Sequence, residues 1–171
     1  MPVESLIPVQ RHKTIGDRLD EAKPHALDWA WYSGGWDDAM AYAEGRPVPD
    51  GGLAPATEEF QYHHQPFVYF AEFADRTEAR KAHLKDEKEF FVAAASGTLP
   101  AVSFVKPVGI DNEHPGYADV LDGDKHLLSL IEAVKCSPNW KDTAIIVTYD
   151  EHGGFWEDVY KRQCLRSHRP A

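Results

Sequence analysis

The sequence predicts an α/β fold: a parallel sheet with flanking helices. Three observations predict it. First, short stretches rich in apolar, β-branched or aromatic residues stand at 29–32, 101–105 and 144–149, the last opening on the continuous apolar run Ala144-Ile145-Ile146-Val147; strands buried on both faces of a parallel sheet read this way. Second, each run stops at a polar or glycine-rich loop: Ser33-Gly34-Gly35, the stretch 109–116, and Asp150-Glu151-His152-Gly153-Gly154. Third, segments with helical spacing of apolar residues lie between the runs.

At 171 residues the chain suffices for one domain with a real core, and 43% hydrophobic with 12% aromatic content is globular. A net charge of -10 argues against a nucleic-acid surface or an anionic-membrane binder. It leaves room for a small phosphorylated substrate, because a metal ion can supply local positive charge. Cys136 and Cys164 do not make a disulfide framework. No apolar run approaches the roughly 20 residues of a membrane span, and residues 1–10 do not read as a signal peptide.

In order, residues 1–13 read as an irregular lead-in broken by Pro2 and Pro8. Thr14 is placed to cap a helix to about Lys23, with Asp17 at the capping-box position and Ile15, Leu19 and Ala22 on one face. A strand over 28–32 and a helix over 36–44 follow, then a Pro- and Gly-rich loop over 45–55. Asp75 with Glu78 starts a covering helix pair across 76–95, with Gly97 placed to end it. The strand 101–105 is followed by a helix from a cap at Asp124 to about Lys135, with Leu127, Leu128, Ile131 and Val134 on one side. The strand 144–149 completes a right-handed βαβ unit. Its two parallel strands then bring the loop after the first and the acidic pair after the second to one edge of the sheet.

The chemistry-bearing residues sit at those loops. In open α/β sheets ligands bind beyond the carboxyl ends of strands. Asp150 and Glu151 are adjacent carboxylates at such an end, and a bound cation would relieve their repulsion. Oxygen donors favour hard ions, so the expected cofactor is a divalent or trivalent metal ion. The alternative is a polar turn with Asp150 capping backbone N–H groups. His114 lies in the loop after strand 101–105. His63 and His64 stand side by side in the aromatic stretch 60–73. On a straight strand they would face opposite ways; Pro66 disfavours helix there and makes a bend plausible. The alternative is one packed and one solvated histidine.

The segments TIGDRL, WAWYSGGW, YHHQPFVYF, HLKDE, LPAVSFVKPVGIDNEHPGYADVL and WKDTAIIVTYDEHGGFW resemble the phosphoesterase family of acid phosphatases and bacterial phospholipases C, across roughly Thr14 to Trp156. The resemblance implies an alkaline-phosphatase-like core sheet and metal-dependent hydrolysis of phosphate esters, phospholipids among them, through a hydroxyl nucleophile that is transiently phosphorylated. Asp150 and Glu151 resemble the C-terminal metal ligands. His63, His64 and His114 resemble the histidines around the phosphate, which makes them the candidate catalytic residues. Family members of this kind are often exported.

The departures are equally specific. The family's Glu-Asn ligand pair has no counterpart before Thr14, and its Ser or Thr nucleophile lies upstream of the matched region; Ser33 and Ser103 match no nucleophile motif. The expectation is therefore an incomplete catalytic domain over 14–157. Residues Asp158 to Gln163, DVYKRQ, translate a transposon-end adapter used in sequencing libraries. The stretch 158–171 carries net +3, leaving -13 on 1–157, and is expected to be an artefactual tail; the alternative is a basic interaction arm. Open sheet edges would make such a chain poorly soluble by itself. The rival readings are an inactive fragment that binds metal weakly, and a metal-dependent sulfatase or mutase on the same core.

Overall fold

The computed structural model describes residues 7–47 and 60–149. Its centre is β1, Trp29–Ser33, flanked by β2, Leu84–Asp86, and β3, Val102–Lys106, in the order β2-β1-β3 with both pairings parallel. The helices are α1 (Ile15–Asp20), α2 (Trp36–Ala43), α3 (Glu78–His83), α4 (Glu87–Ser96) and α5 (Val120–Cys136). The α/β class expected from the sequence is therefore the observed one. No helix among the described residues is long and apolar enough to cross a membrane.

β1 is covered on both faces, which explains why it is apolar at nearly every position. Side chains alternate along a strand. Trp29 and Trp31 enter a cluster with Trp36, Phe67, Phe73 and Leu84, while Ala30 and Tyr32 enter a second one with Phe90, Leu130 and Val134. Trp29 joins several elements within the first cluster. His83 stacks on it at 4.0 Å between ring centroids, Phe67 and Phe73 lie at 5.0 and 5.9 Å, and its indole N–H donates to Asp20 Oδ1 at 3.1 Å. Gly16 is the close neighbour beneath: a β-carbon there would lie 2.2 Å from the Trp29 ring. Arg80 of α3 lies over the Trp36 ring at 5.0 Å and pairs with Asp75 at 2.7 Å.

The helix ends follow local chemistry, with some shifts from expectation. Thr14 and Asp17 form the expected reciprocal capping box, but the exposed Ile15 is not on the buried face; Gly16 is. α3 is capped by Thr77 rather than Asp75, because Asp75 is engaged with Arg80. The expected helix pair is interrupted by β2, whose last residue, Asp86, caps α4 in a capping box with Glu89. Gly97 ends α4 in the left-handed conformation, φ 71. α5 starts at a cap on Asp119, not Asp124. Its buried stripe is Gly123, Leu130 and Val134, and Leu128 is exposed.

One expected strand is corrected. Residues 143–149 form no strand; Ile145, Ile146 and Val147 are exposed, Ile146 at 87%. Composition measures how well a segment suits a buried pleated surface, whereas a strand also needs a neighbouring backbone and a layer to cover it. Among the described residues, 144–148 pair with no strand and stay exposed. The βαβ unit from 101 to 149 is thus a strand and a helix without their second strand. The exposed apolar residues are the kind of surface that favours association. Residues 1–6, 48–59 and 150–171, including most of the expected loop 45–55 and the whole tail 158–171, lie outside the described residues.

Candidate functional site

Because all three strands are parallel, their carboxyl ends share one edge. The register sets Asp86, Ser33 and Lys106 on one rung: Ser33 pairs with Asp86 on one side and with Lys106 on the other. Asp86 is mostly buried, accepts from the Asp37 N–H at 2.9 Å and caps α4. Ser33 is fully buried, and its Oγ has no hydrogen-bond partner among the described residues.

Immediately beyond this rung, Gly34 and Gly35 are the hub on which two loops converge. The Gly34 N–H donates to the Lys106 carbonyl at 3.0 Å, and a β-carbon on Gly34 would lie 2.4 Å from the Val108 nitrogen. Gly35 sits at φ 77, and a β-carbon on it would lie 3.4 Å from Phe60 Cβ. Phe60 leads into His63 and His64; Val108 leads into His114. Gly34→Ala is expected to destabilise the chain by roughly 2–3 kcal/mol, because the obstructing atoms are backbone and do not yield. Chemical denaturation measures this, and a cost below about 0.5 kcal/mol would show that the loops are not held here.

The histidine pair lies on a 3-10 turn, Tyr62–His64, directly before a second one, Pro66–Tyr69. The bend expected from Pro66 is present. It brings the two imidazoles to 4.5 Å between centroids at 80°, with His64 buried and His63 exposed. One packed and one solvated histidine thus coexist with close approach of the two rings. The turn is pinned to the sheet by the Trp31 indole N–H, which donates to the His64 carbonyl at 2.8 Å. Next to it, Gln65 is fully buried and neither atom of its amide has a hydrogen-bond partner among the described residues. Such a group costs on the order of 1–3 kcal/mol.

His114 is exposed in the loop after β3. Its ring stacks on Tyr117 at 4.6 Å and 8°, and its backbone N–H donates to Asn112 Oδ1 at 2.9 Å. Nδ1 is 2.7 Å from the Pro115 carbonyl, which only accepts, so Nδ1 carries the proton and Nε2 is the nitrogen left to meet a ligand. The preceding residue, Glu113, is buried at φ 63 and lies against Gly123 of α5.

A cavity of about 320 Å³ opens at the same edge, lined by Gly34, Gly35, Phe60, Asp86, Glu87 and Val108 among others. None of His63, His64 and His114 lines it. Asp150 and Glu151 lie outside the described residues. Among the described residues no group of three or more His, Cys, Asp or Glu side chains is arranged to hold a metal ion. The described part of the chain therefore does not build a metal centre by itself.

Sequence reasoning passed over two groups. Asp86-Glu87 is an acidic pair directly after a short strand, the same pattern that drew attention to Asp150-Glu151, but it was hidden inside a charged stretch read as solvated helix. His126 is the second. Its Nε2 is 2.8 Å from Glu87 Oε1 and its Nδ1 3.6 Å from Asp111 Oδ2. The hydrogen bond to Glu87 raises its pKa above the ordinary value, against the opposing effect of burial.

Comparison with known proteins bears on this arrangement. The Phosphoesterase family profile matches residues 2–165. The chain is 38% identical over 73 residues to non-specific phospholipase C6 of Arabidopsis thaliana, covering 39% of this chain and 14% of that protein. It is 36% identical over 78 residues to non-specific phospholipase C1 of the same plant, covering 42% and 14%. It is 33% identical over 72 residues to phospholipase C A of Mycobacterium tuberculosis (strain ATCC 25618 / H37Rv), again covering 42% and 14%. The matched stretches thus span about a seventh of these relatives' length. With the family profile matched over nearly the whole chain, this chain belongs to the Phosphoesterase family.

Proposed function

We propose that the protein hydrolyses phosphate esters, of phospholipid headgroup or phosphomonoester type, on an alkaline-phosphatase-like core. The observation that carries this reading is the family match together with relatives named as phospholipases C. The geometry supports it in two ways. The loops bearing His63, His64 and His114 both depart from Gly34–Gly35 at the carboxyl edge of the sheet. Tyr149, the residue before Asp150, has its phenol pKa pushed up first by burial and then by the charges of Glu113 and Asp124, so it lies near the His114 loop.

In this reading Asp150 and Glu151 are the residues that hold a divalent or trivalent metal ion, which supplies positive charge toward the phosphate when bound. His63, His64 and His114 surround the phosphoryl group, whose equatorial oxygens carry negative charge in transfer. Hydrogen-bond donors aimed at those oxygens stabilise that charge. One imidazole protonates the departing alkoxide. The two rings at 4.5 Å are close enough to act on one group, and Nε2 of His114 suits either role once it carries a proton beside the one on Nδ1.

A panel of p-nitrophenyl phosphate, p-nitrophenyl sulfate and p-nitrophenyl phosphorylcholine, with and without chelator, tests the proposal on the full-length protein. Turnover of a phosphate ester that is lost with chelator and restored by added metal is the expected result. Preference for the sulfate would assign the protein to sulfatase chemistry instead, and chelator-resistant turnover would remove the metal from the reaction. The 171-residue chain by itself is expected to turn over none of the three.

A further inference from the structure

We propose that His126 is a positioning residue: on α5, it clamps Asp111 of the His114 loop to Glu87 at the start of α4, and it does so only as the imidazolium. The inference rests on the reading of His114 for its consequence, but not for its mechanism.

The geometry is that of a bridge. One ring nitrogen meets Glu87 at 2.8 Å, and the other faces Asp111 at 3.6 Å. At 3.6 Å the Asp111 contact is an ion pair rather than a hydrogen bond, so it needs the charged ring, which carries a proton on each nitrogen. A neutral imidazole has one N–H and keeps one partner at most. The shorter, more buried contact is to Glu87, whose side chain is 9% exposed, whereas that of Asp111 is 29% exposed. Asp111 is therefore the partner released when the ring loses its proton.

The groups that face His126 are few. From α4 come Glu87 and, one turn on, the edge of Phe91. From the turn Gly109–Asp111 comes Asp111. On α5 itself the neighbouring charges, Asp122 and Lys125, are exposed and pair with each other at 2.6 Å. Lys88, beside Glu87, pairs with Asp37 at 2.8 Å. Among the described residues the charged groups recorded against the ring are these two acceptors, consistent with its raised pKa.

The second contact between α5 and the loop lies one turn earlier, at Gly123. A β-carbon there would lie 2.1 Å from Glu113 Cγ, so the glycine is what lets the loop lie against the helix. Gly123 and His126 are three apart and share a helix face; Glu113 and Asp111 are their counterparts on the loop. His114 follows directly. The two contacts hold the segment that presents its ring; the one at Gly123 is a close steric approach to the Glu113 side chain.

The sign follows from the raised pKa. The contribution of the charged bridge is fully present below the ordinary histidine value of 6.5 and is lost as pH rises through the higher folded value. The loop is held below pH 6.5, while the two carboxylates stay ionised, and loosens as pH rises through the raised folded value.

Hydrogen exchange on the full chain tests this, read as protection factors so that the intrinsic pH dependence is removed. The reporters are the amides of Asn112 and Ala118, which donate to Gly109 and His114 carbonyls. Their protection is expected to be about fivefold higher near pH 5.5 than near pH 9, as befits a partly exposed ion pair. In Asp111→Asn the difference disappears, and the melting temperature stays close to that of the parent because Asp111 is partly exposed. In His126→Gln protection stays at the alkaline level at both pH values; if that variant fails to fold, Asp111→Asn decides. Gly123→Ala lowers protection equally at both. Protection independent of pH in the parent, or an undiminished pH difference in Asp111→Asn, overturns the proposal. Failure of the reading of His114 would appear elsewhere, as unchanged turnover in His114→Ala, and would leave the exchange result standing.

Discussion

Trp29→Ala is expected to lower folding stability by about 3–5 kcal/mol, the range for truncating a buried large aromatic. Trp29 is 3% exposed on the central strand and joins three layers at once: α1 through Gly16 and Asp20, the 3-10 segment through Phe67 and Phe73, and α3 through His83. Its carbonyl also lies 2.8 Å from His83 Nδ1. Removing the ring leaves a cavity between these elements, and strands of three to five residues hold little in reserve. Urea unfolding followed by circular dichroism measures the loss. Trp29→Phe should recover part of it, because the stacking face on His83 survives while the bond to Asp20 does not. A cost below about 1 kcal/mol for the alanine variant would show that the first core cluster is not organised around this residue.

His114→Ala is expected to reduce turnover of a phosphate ester by the full-length protein about 10²–10⁴-fold, the usual contribution of a positioned proton donor or acceptor. Stability should barely change. The ring is exposed, and its interactions are the stack on Tyr117 and the bond to the Pro115 carbonyl. The measurement is kcat and KM for p-nitrophenyl phosphate beside a melting curve. A fall in kcat at unchanged melting temperature supports a role at the phosphate. A loss of less than about threefold in kcat/KM would take His114 out of the site. A loss accompanied by a matching fall in melting temperature would assign it to holding the loop.

Much of the fold was legible because the signals were local. Thr14 and Asp17 lie three apart and satisfy each other's backbone groups without help from the rest of the chain. Gly97 ends α4 because a left-handed residue is needed there and glycine adopts it at least cost. Pro66 bends the chain at the histidine pair for reasons internal to its own ring. The run Trp29-Ala30-Trp31-Tyr32 was readable as a doubly covered strand because every side chain had to be buried, whichever way it faced.

What escaped was set by distant partners. Leu84–Asp86 became a strand because β1 offered an edge to three residues that no pattern of their own would have marked. Residues 144–149, which match the strand pattern far better, did not become one, because no strand pairs with them among the described residues and 144–148 stay exposed. Asp75 was spent on Arg80, so the cap passed to Thr77. His126 carried no motif, since its partners Glu87 and Asp111 are 39 and 15 positions away in the chain.

By itself, then, the order of residues determined the family, the class of fold, the caps and bends, and the edge of the sheet where polar loops gather. Only the tertiary structure decided which extended segments pair, which acidic groups are occupied by capping, and that α5 holds the His114 loop through Gly123 and His126. The physical reason is range. Helix caps, turns and side-chain alternation are satisfied within a few residues, so the sequence shows them directly. Strand pairing and ion pairs draw on whichever surface folding brings alongside, and that is known only when the chain is folded.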